Sequence, residues 1–542
     1  MPKALLALSA LLLAQLACGG GGGGGAAAGP STGTPAPTPG SAQVTFTVDS
    51  TQGTRAISPY IYGTNQGDFS AEARGLTLSR MGGNRLTAYD WETNASNAGS
   101  DWQYENDDYM SASATPGLPM LQSAQAAAAA GASLIMTVPM AGWVAADEAG
   151  PCPAQPTPAQ IAQRFLPILP AKGAAFSYPP NLTDGKVYAD EFVAWLESQF
   201  PTAQTDPARR IFYMLDNEPD LWSSTHSEIH PAATTYAELA QKSTALASAI
   251  KAAAPGALVF GPVSYGWEGF LTLQNAPDAA GRDFLDFYLD TLQAAESGAG
   301  KRLLDVLDVH WYPEATGGGA RITDDGVSEA EVEARLQAPR SLWDPSYTET
   351  SWITQWSTQG PIALIPRLQA KIDQHYPGTR LSISEYNYGA GGDISGGLAQ
   401  ADVLGVFGQQ GLFAAALWEL DSDSSYLFAA FRMYRDYDGR GGAFGDTAIS
   451  AQSSDVATAT VYASIQAASP SQVILVAINK TTSAQTAAIA LTHPVPLTTA
   501  DVYTLTAAGA APATGPALAA DGANHFTYAM PARSVSTLVL HP

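Results

Sequence analysis

Apolar residues along this chain follow two patterns, and the change between them comes near residue 450. Before it, short unbroken apolar runs alternate with longer stretches in which apolar residues recur every three or four positions. The runs are Tyr60 to Asn65, Leu78 to Gly82, Ser133 to Pro139, Ile211 to Asn217, Leu258 to Pro262, Val306 to Trp311, Leu381 to Ser384 and Phe413 to Glu419. Runs this short and continuous are typical of strands buried on both faces. The segments between them are long enough for helices, and Thr235 to Ala253, with Leu239, Leu246 and Ile250 on one side, reads as one. Eight strand-then-helix units in series predict an α/β fold, a (β/α)8 TIM barrel.

After residue 450 the helical period disappears. Ala457 to Tyr462, Val473 to Ile478, Thr486 to Leu491, Asp501 to Leu505 and Ser534 to Leu540 read as strands joined by Gly, Pro, Asn and Ser turns, which predicts an additional all-β sandwich domain. The alternating segment Val44-Thr-Phe-Thr-Val48 is expected to join it, so that the sandwich is formed by the C-terminal region plus an N-terminal strand. The expected division is a signal peptide at 1–18, a tether at 19–42, the N-terminal strand at 43–56, the barrel at 57–450 and the sandwich at 451–542.

Ahead of Val44 the chain reads as targeting sequence. Lys3 precedes the apolar run Ala4 to Leu13, followed by Ala14-Gln-Leu-Ala17, Cys18 and seven glycines. A cysteine directly after a small residue resembles a bacterial lipoprotein signal, although Gln15 stands where such signals usually carry Leu. The expected location is secreted, or lipid-anchored at the bacterial cell surface or outer membrane through Cys18. Residues 19–42 are Gly, Ala, Pro, Ser and Thr with no large apolar side chain, a composition that stays a flexible tether. Beyond residue 20 no apolar stretch approaches the ~20 residues needed to span a bilayer.

Charge narrows the partners. With 26 basic against 50 acidic residues the net charge is −24, which argues against nucleic acid and anionic membrane and is compatible with a neutral polysaccharide. Cys152, in a Pro-Cys-Pro loop, is the one cysteine besides Cys18, so neither a disulfide framework nor a thiolate metal site is expected. No zincin, Walker or dinucleotide-binding motif is present. A monomer is expected. Catalysis calls for no cofactor, and the acidic groups Asp324-Asp325 and Asp421-Ser-Asp423 read first as solvated loops that offer calcium ligands only secondarily.

Two of the apolar runs end in carboxylates: Ile211-Phe-Tyr-Met-Leu-Asp-Asn-Glu-Pro-Asp220 and Leu381-Ser-Ile-Ser-Glu385-Tyr-Asn-Tyr388. Barrel enzymes keep their chemistry at the C-terminal ends of the strands. Glycoside hydrolysis needs one carboxylic acid to protonate the leaving oxygen and one carboxylate to attack or to activate water. Glu218 is therefore expected as acid/base and Glu385 as nucleophile, at the tips of strands four and seven. Their opposition across the mouth suits retention of configuration. Asn217 is expected to bond the sugar 2-hydroxyl, Arg80 to pair with Glu385, and Tyr312 to bond the same carboxylate. His310 reads more readily as a packed histidine than as a catalyst.

The segments Ile57-Ser-Pro-Tyr-Ile-Tyr-Gly63, Arg80-Met-Gly-Gly-Asn84, Trp91-Glu-Thr-Asn-Ala-Ser-Asn-Ala-Gly-Ser-Asp-Trp102, Asp216-Asn-Glu-Pro-Asp-Leu-Trp222, His310-Trp-Tyr-Pro-Glu314 and Ser384-Glu-Tyr-Asn-Tyr388 together resemble glycoside hydrolase family 44. The resemblance runs from about Val44 to the carboxyl end. It implies a retaining endo-β-1,4-glucanase with a barrel and a β-sandwich, active on cellulosic chains and often on xyloglucan, with Glu218 as acid/base and Glu385 as nucleophile. It also allows a structural calcium ion. The family's Arg-Trp-Gly-Gly-Asn block has Met81 in place of its tryptophan here.

Sugar rings expose apolar C–H faces that pack on flat aromatic side chains. Trp418 is expected to floor the site, and Trp91, Trp352 and Trp356 to line the groove. The function expected is a secreted or surface-anchored endoglucanase or xyloglucanase acting on β-glucan. A xylanase or mannanase of the same barrel clan and a non-catalytic glycan-binding lipoprotein are the alternatives.

Overall fold

The structure, a computed structural model, describes residues 42–67, 69–70, 73–207 and 210–542. The expected signal peptide, Cys18 and the expected tether up to residue 41 lie outside the described residues.

Eight strands close a barrel in chain order: Tyr60–Asn65, Leu78–Met81, Ser133–Val138, Ile211–Leu215, Val259–Ser264, Val306–Trp311, Arg380–Tyr386 and Ala414–Leu417. All neighbours pair in parallel, and each apolar run read from the sequence falls on one of them. The interior changes character along the strands. Tyr60, Leu78, Phe212, Phe260, Val306 and Ala414 pack into one inward cluster at the N-terminal end, where Tyr60 and Phe212 meet edge to face at 5.0 Å. One step further up, the inward positions become polar, with Arg80, Asp308, Ser382 and Ser384 all fully buried. The aromatic layer plugs the barrel, so the polar positions can open only toward its C-terminal mouth.

The helices form the outer ring. Tyr236–Ala253 is capped by Thr235, whose side chain accepts from Glu238 N–H at 3.1 Å, and it buries Leu239, Leu246 and Ile250 against the barrel. Ile394–Gln410 is buried along nearly its whole length because it lies between the barrel and the second domain. A Cβ at Gly405 would strike the Tyr462 ring, so glycine lets the two domains approach here. On the same helix, Asp402 accepts from Thr460 Oγ1 at 2.6 Å and Tyr462 OH at 2.7 Å, and pairs with Lys480 Nζ at 2.7 Å; all four residues are buried.

The second domain is a β-sandwich. Its first strand, Val44–Asp49, runs antiparallel to Thr447–Ser453 and parallel to Gln485–Thr492, with Val44, Phe46 and Val48 turned into the core beside Leu475, Ile489 and Leu538. Thr447–Ser453 belongs to both layers: its first half pairs with Ala459–Gln466 and its second with Val44–Asp49. This corrects the boundary expected at 450/451, which would cut that strand in two; the sandwich begins at about residue 447. The segment escapes sequence reading because Thr-Ala-Ile-Ser-Ala-Gln-Ser holds one large apolar residue. Gly509–Thr514 and His525–Met530 are further sandwich strands beyond those read from the sequence.

Candidate active site

Barrel strand four delivers Glu218 through a backbone that is bent and clamped on both sides. After Leu215 the chain enters left-handed conformations at Asp216 (φ 66°) and Glu218 (φ 42°), which non-glycine residues adopt only where surrounding structure enforces them. Two buried carboxylates do so. Asp216 accepts from Thr87 Oγ1 at 2.6 Å, Ala141 N–H at 2.9 Å, Asn217 N–H at 2.7 Å and Met140 N–H, tying the tip of strand four to the end of strand three. Asp220 accepts from Tyr265 N–H at 3.1 Å, and Glu218 N–H donates to Val263 O at 3.1 Å, which ties the other flank to strand five. Burial pushes Asp220 up to about 7.

Strand seven presents Glu385 by a different device. Strands six and seven pair in simple register as far as Val309 and Ile383; then His310 stands opposite Glu385, one residue late, so Ser384 is the extra residue of a bulge. A bulge re-aims the side chain that follows it. Glu385 Oε1 pairs with Arg80 Nη1 at 2.6 Å, and Oε2 accepts from Tyr312 OH at 2.8 Å. Arg80 is fully buried; it also donates to Asn65 Oδ1 at 2.9 Å and Asn217 Oδ1 at 2.7 Å, while Nε faces Met214 Sδ at 3.1 Å. Asn65 in turn donates to Ser384 O at 3.0 Å, within the bulge itself. Sequence reading did not single out Asn65, Asp216 or Asp220.

The structure thus brings Glu218, Glu385, Asn217, Arg80, Tyr312 and His310 into one cluster. His310 Nδ1 lies 2.8 Å from Glu218 Oε1 and 3.4 Å from Glu385 Oε2. Burial, with the Arg80 charge nearby, depresses this histidine well below its usual range, so its ring is neutral. Burial pushes Glu218 well above the usual glutamate range, and the Glu385 and Asp220 carboxylates push it the same way. Burial also raises Glu385, but Arg80 and the Tyr312 hydroxyl act against it. Of the two carboxylates Glu218 is thus the more strongly raised, and Glu385 is the one with a cation and a hydroxyl set against the rise. One oxygen of each glutamate and a ring nitrogen of His310 lie within 4.8 Å of one another.

Two cavities lie near this cluster, one reaching Asn84 and the other Tyr312, and neither is lined by Glu218 or Glu385 themselves. One, of 230 Å³, is lined by Gly82, Gly83, Asn84, Asp101 and the half-buried Trp418. The other, of 160 Å³, is lined by Tyr265, Tyr312, Arg321 and the half-buried Trp352. Trp356 is 77% exposed and lines neither. Trp91 corrects the expectation of a groove residue: it is 2% exposed, with its ring 5.8 Å from Phe192 and 5.6 Å from Trp195, inside the core against helix Ala189–Gln199. Met81 is buried and reaches the edge of the first cavity.

Among the described residues, Glu218, His310 and Glu385 form the one group of three or more His, Cys, Asp or Glu spaced to share a metal ion. Asp421 accepts instead from Gly391 N–H and Asp423 from Ser425 N–H. Cys152 is a buried free thiol.

Comparison with known proteins gives this geometry a family. The model of glycoside hydrolase family 44 matches residues 95–315, a span that holds Glu218 and stops short of Glu385. Endoglucanase A of Paenibacillus lautus is 43% identical over 454 residues, covering 81% of this chain and 64% of the relative. A β-mannanase/endoglucanase A of Caldicellulosiruptor saccharolyticus is 42% identical over 465 residues, covering 81% of this chain and 34% of the relative. The chain therefore spans less than two thirds of either curated relative. Against a solved Paenibacillus polymyxa xyloglucanase of family 44, in complex with xyloglucan, the TM-score is 0.87 at 40% identity, over 92% of this chain and 99% of the other. Identity at that level across both barrel and sandwich goes well beyond a shared barrel architecture, and this chain belongs to glycoside hydrolase family 44.

Proposed function

We propose that this protein is a retaining endo-acting hydrolase of β-1,4-glucosidic bonds in cellulosic glucans and xyloglucan, working by double displacement. Glu218 is the general acid: it carries the proton that the leaving oxygen needs. Glu385 is the nucleophile, attacking the anomeric carbon to form a covalent glycosyl ester. Arg80 and Tyr312 keep it ionised and aimed. Forming the ester removes the Glu385 charge, and with it one cause of the raised Glu218 pKa. Glu218 can then deprotonate the incoming water. His310 fixes the Glu218 carboxyl through Nδ1. Asn217 holds Arg80 through Oδ1, gives one Nδ2 proton to Asn84 Oδ1 and keeps the other for the 2-hydroxyl of the reacting sugar, a contact that tightens toward the transition state.

One observation carries the stereochemical reading: an oxygen of Glu218 lies within 4.8 Å of one of Glu385. Retaining pairs stand ~5 to 5.5 Å apart, and inverting pairs, which must admit a water, ~6.5 to 9.5 Å. Two separate cavities, one beside Trp418 and Asn84 and one beside Trp352 and Tyr312, support cleavage within a chain, with sugar rings on each tryptophan. The relatives' names, endoglucanase, xyloglucanase and mannanase/endoglucanase, support a β-1,4-linked polysaccharide. The residues ahead of Val44 support a protein that is secreted or lipid-anchored through Cys18.

The test is reducing-end release by residues 43–542 on xyloglucan, carboxymethyl cellulose, xylan and mannan, with proton NMR of the first anomer formed. Early β-anomer from the glucans is expected. Early α-anomer refutes double displacement, activity only on xylan or mannan moves the substrate, and silence on all four leaves a binding protein.

A further inference from the structure

Asp101 is a carboxylate at the barrel mouth that the reaction above leaves unused. It ends the short 3-10 turn Gly99–Asp101. Gly99 is left-handed (φ 56°), and a Cβ there would strike the Thr225 carbonyl and the His226 ring, so only glycine lets the turn lie so close. Gly99 N–H donates to Asn97 Oδ1 at 2.6 Å, which holds the turn at its base. From this fixed point Asp101 Oδ1 accepts from Asn84 Nδ2 at 2.9 Å, and Asn84 Oδ1 faces Asn217 Nδ2 at 3.3 Å. Asn217 leads through Arg80 to Glu385. Asp101 thus stands at one end of a hydrogen-bonded chain whose other end is the nucleophile.

Its second oxygen has no hydrogen-bond partner among the described residues, and the side chain lines the 230 Å³ cavity with Gly83, Asn84 and Trp418. Gly83 has φ 89°, and Trp418 Cη2 lies 2.7 Å from where its Cβ would be, so the benzo edge of the indole rests directly on Gly83. An aromatic floor with a carboxylate wall fits one chemistry well: a pyranose ring with its C–H face on the indole and a hydroxyl donating to the acid.

We propose that Asp101 is a substrate-binding residue: Oδ2 accepts a hydroxyl proton from the glucosyl ring that lies on Trp418, while Oδ1, through Asn84, holds Asn217 against that ring. The assignment rests on the glycosidase reading. The charge of Asp101 also acts on the chemistry, because it raises both Glu218 and Glu385. Arg85 and His226 face Asp101 and oppose the rise that burial gives it; Asp220 and Glu385 are the other carboxylates acting on Glu218, and Arg80 the opposing cation.

Asp101→Asn keeps an oxygen for Asn84 and removes the charge. It is expected to lower kcat/KM on cellotetraose about tenfold and, because the Asp101 charge raises both Glu218 and Glu385, to move both limbs of the pH profile to lower pH. Asp101→Ala, made together with Glu385→Gln, is expected to weaken cellotetraose binding by calorimetry about tenfold or more relative to Glu385→Gln alone. Should the Ala variant melt at a lower temperature, the Asn variant still reads the contact. An Asp101→Asn enzyme with wild-type KM, kcat and pH limbs, or an Ala variant with undiminished affinity, overturns the assignment. An otherwise wild-type enzyme that cleaves no glucan overturns the glycosidase reading instead, so the two failures are distinguishable.

Discussion

The tips of barrel strands four and seven are written in the same way, an apolar run ending in a glutamate, yet the fold gives them opposite surroundings. Glu218 faces a neutral imidazole and feels three other carboxylates, Glu385, Asp220 and Asp101, which leave it the better place for a proton. Glu385 faces a buried guanidinium and a phenol, which hold it as an anion. The delivery differs as well: a left-handed bend clamped by Asp216 and Asp220 carries the first, a bulge at Ser384 the second. The division of labour between an acid and a nucleophile thus lies in the donors that surround each carboxylate, since the carboxylates themselves are alike.

The largest effect comes from erasing either member of the pair. Glu385→Ala and Glu218→Gln should each lower kcat on polysaccharide by about 10³-fold or more. They should differ on an aryl glycoside with a good leaving group, where Glu218→Gln retains the glycosylation step as a burst of released phenol and Glu385→Ala gives none. Equal behaviour of the two variants on that substrate would break the comparison.

Arg80→Lys comes next, because a lysine cannot reach Glu385, Asn65 and Asn217 at once. A loss of about 100-fold in kcat/KM is expected. Since Arg80 lowers the Glu385 pKa and the nucleophile must be ionised, weakening the pair raises that pKa. The acidic limb of the kcat/KM profile then moves to higher pH and the basic limb, set by Glu218, moves less. Tyr312→Phe removes one donor to the same carboxylate and should give the same displacement on a smaller scale, with a loss of about tenfold. A shift of the basic limb alone in either variant would reverse the assignments.

The smallest effects belong to the groove. Trp352→Ala should raise KM for long glucans several-fold with kcat little changed, in proportion to the ring area lost from a sugar platform (about 1 kcal/mol). Trp356→Ala should do less, since that side chain lines neither cavity. Trp91→Ala, by contrast, should lower the melting temperature instead of KM, because its ring is buried in the core.

The barrel is legible in the sequence because strands buried on both faces must be continuously apolar, and Glu218 and Glu385 are legible because they interrupt that rule at a strand tip. Their supports are not. Asp216, Asp220 and Asn65 act on backbone groups of neighbouring strands, and a contact between residues so far apart in sequence leaves no local period. Trp91 shows the same limit from the other side: a tryptophan stacked on Phe192 and one offered to a sugar are written alike. Thr447–Ser453 is hidden because its strand character comes from its two neighbours and owes little to its own side chains.

The sandwich places Val44–Asp49 between Thr447–Ser453 and Gln485–Thr492, about four hundred residues downstream. During synthesis this strand is therefore made long before either of its neighbours exists, and the whole barrel is made in between. Ordering of that sheet must wait until Thr447–Ser453 and Gln485–Thr492 have been delivered, which makes its closure a late and slow step of folding. Once closed, it joins the segments on either side of the barrel, so a chain broken off within the barrel is left with Val44, Phe46 and Val48 uncovered, an apolar edge by which such copies can be told from those that reach the sandwich.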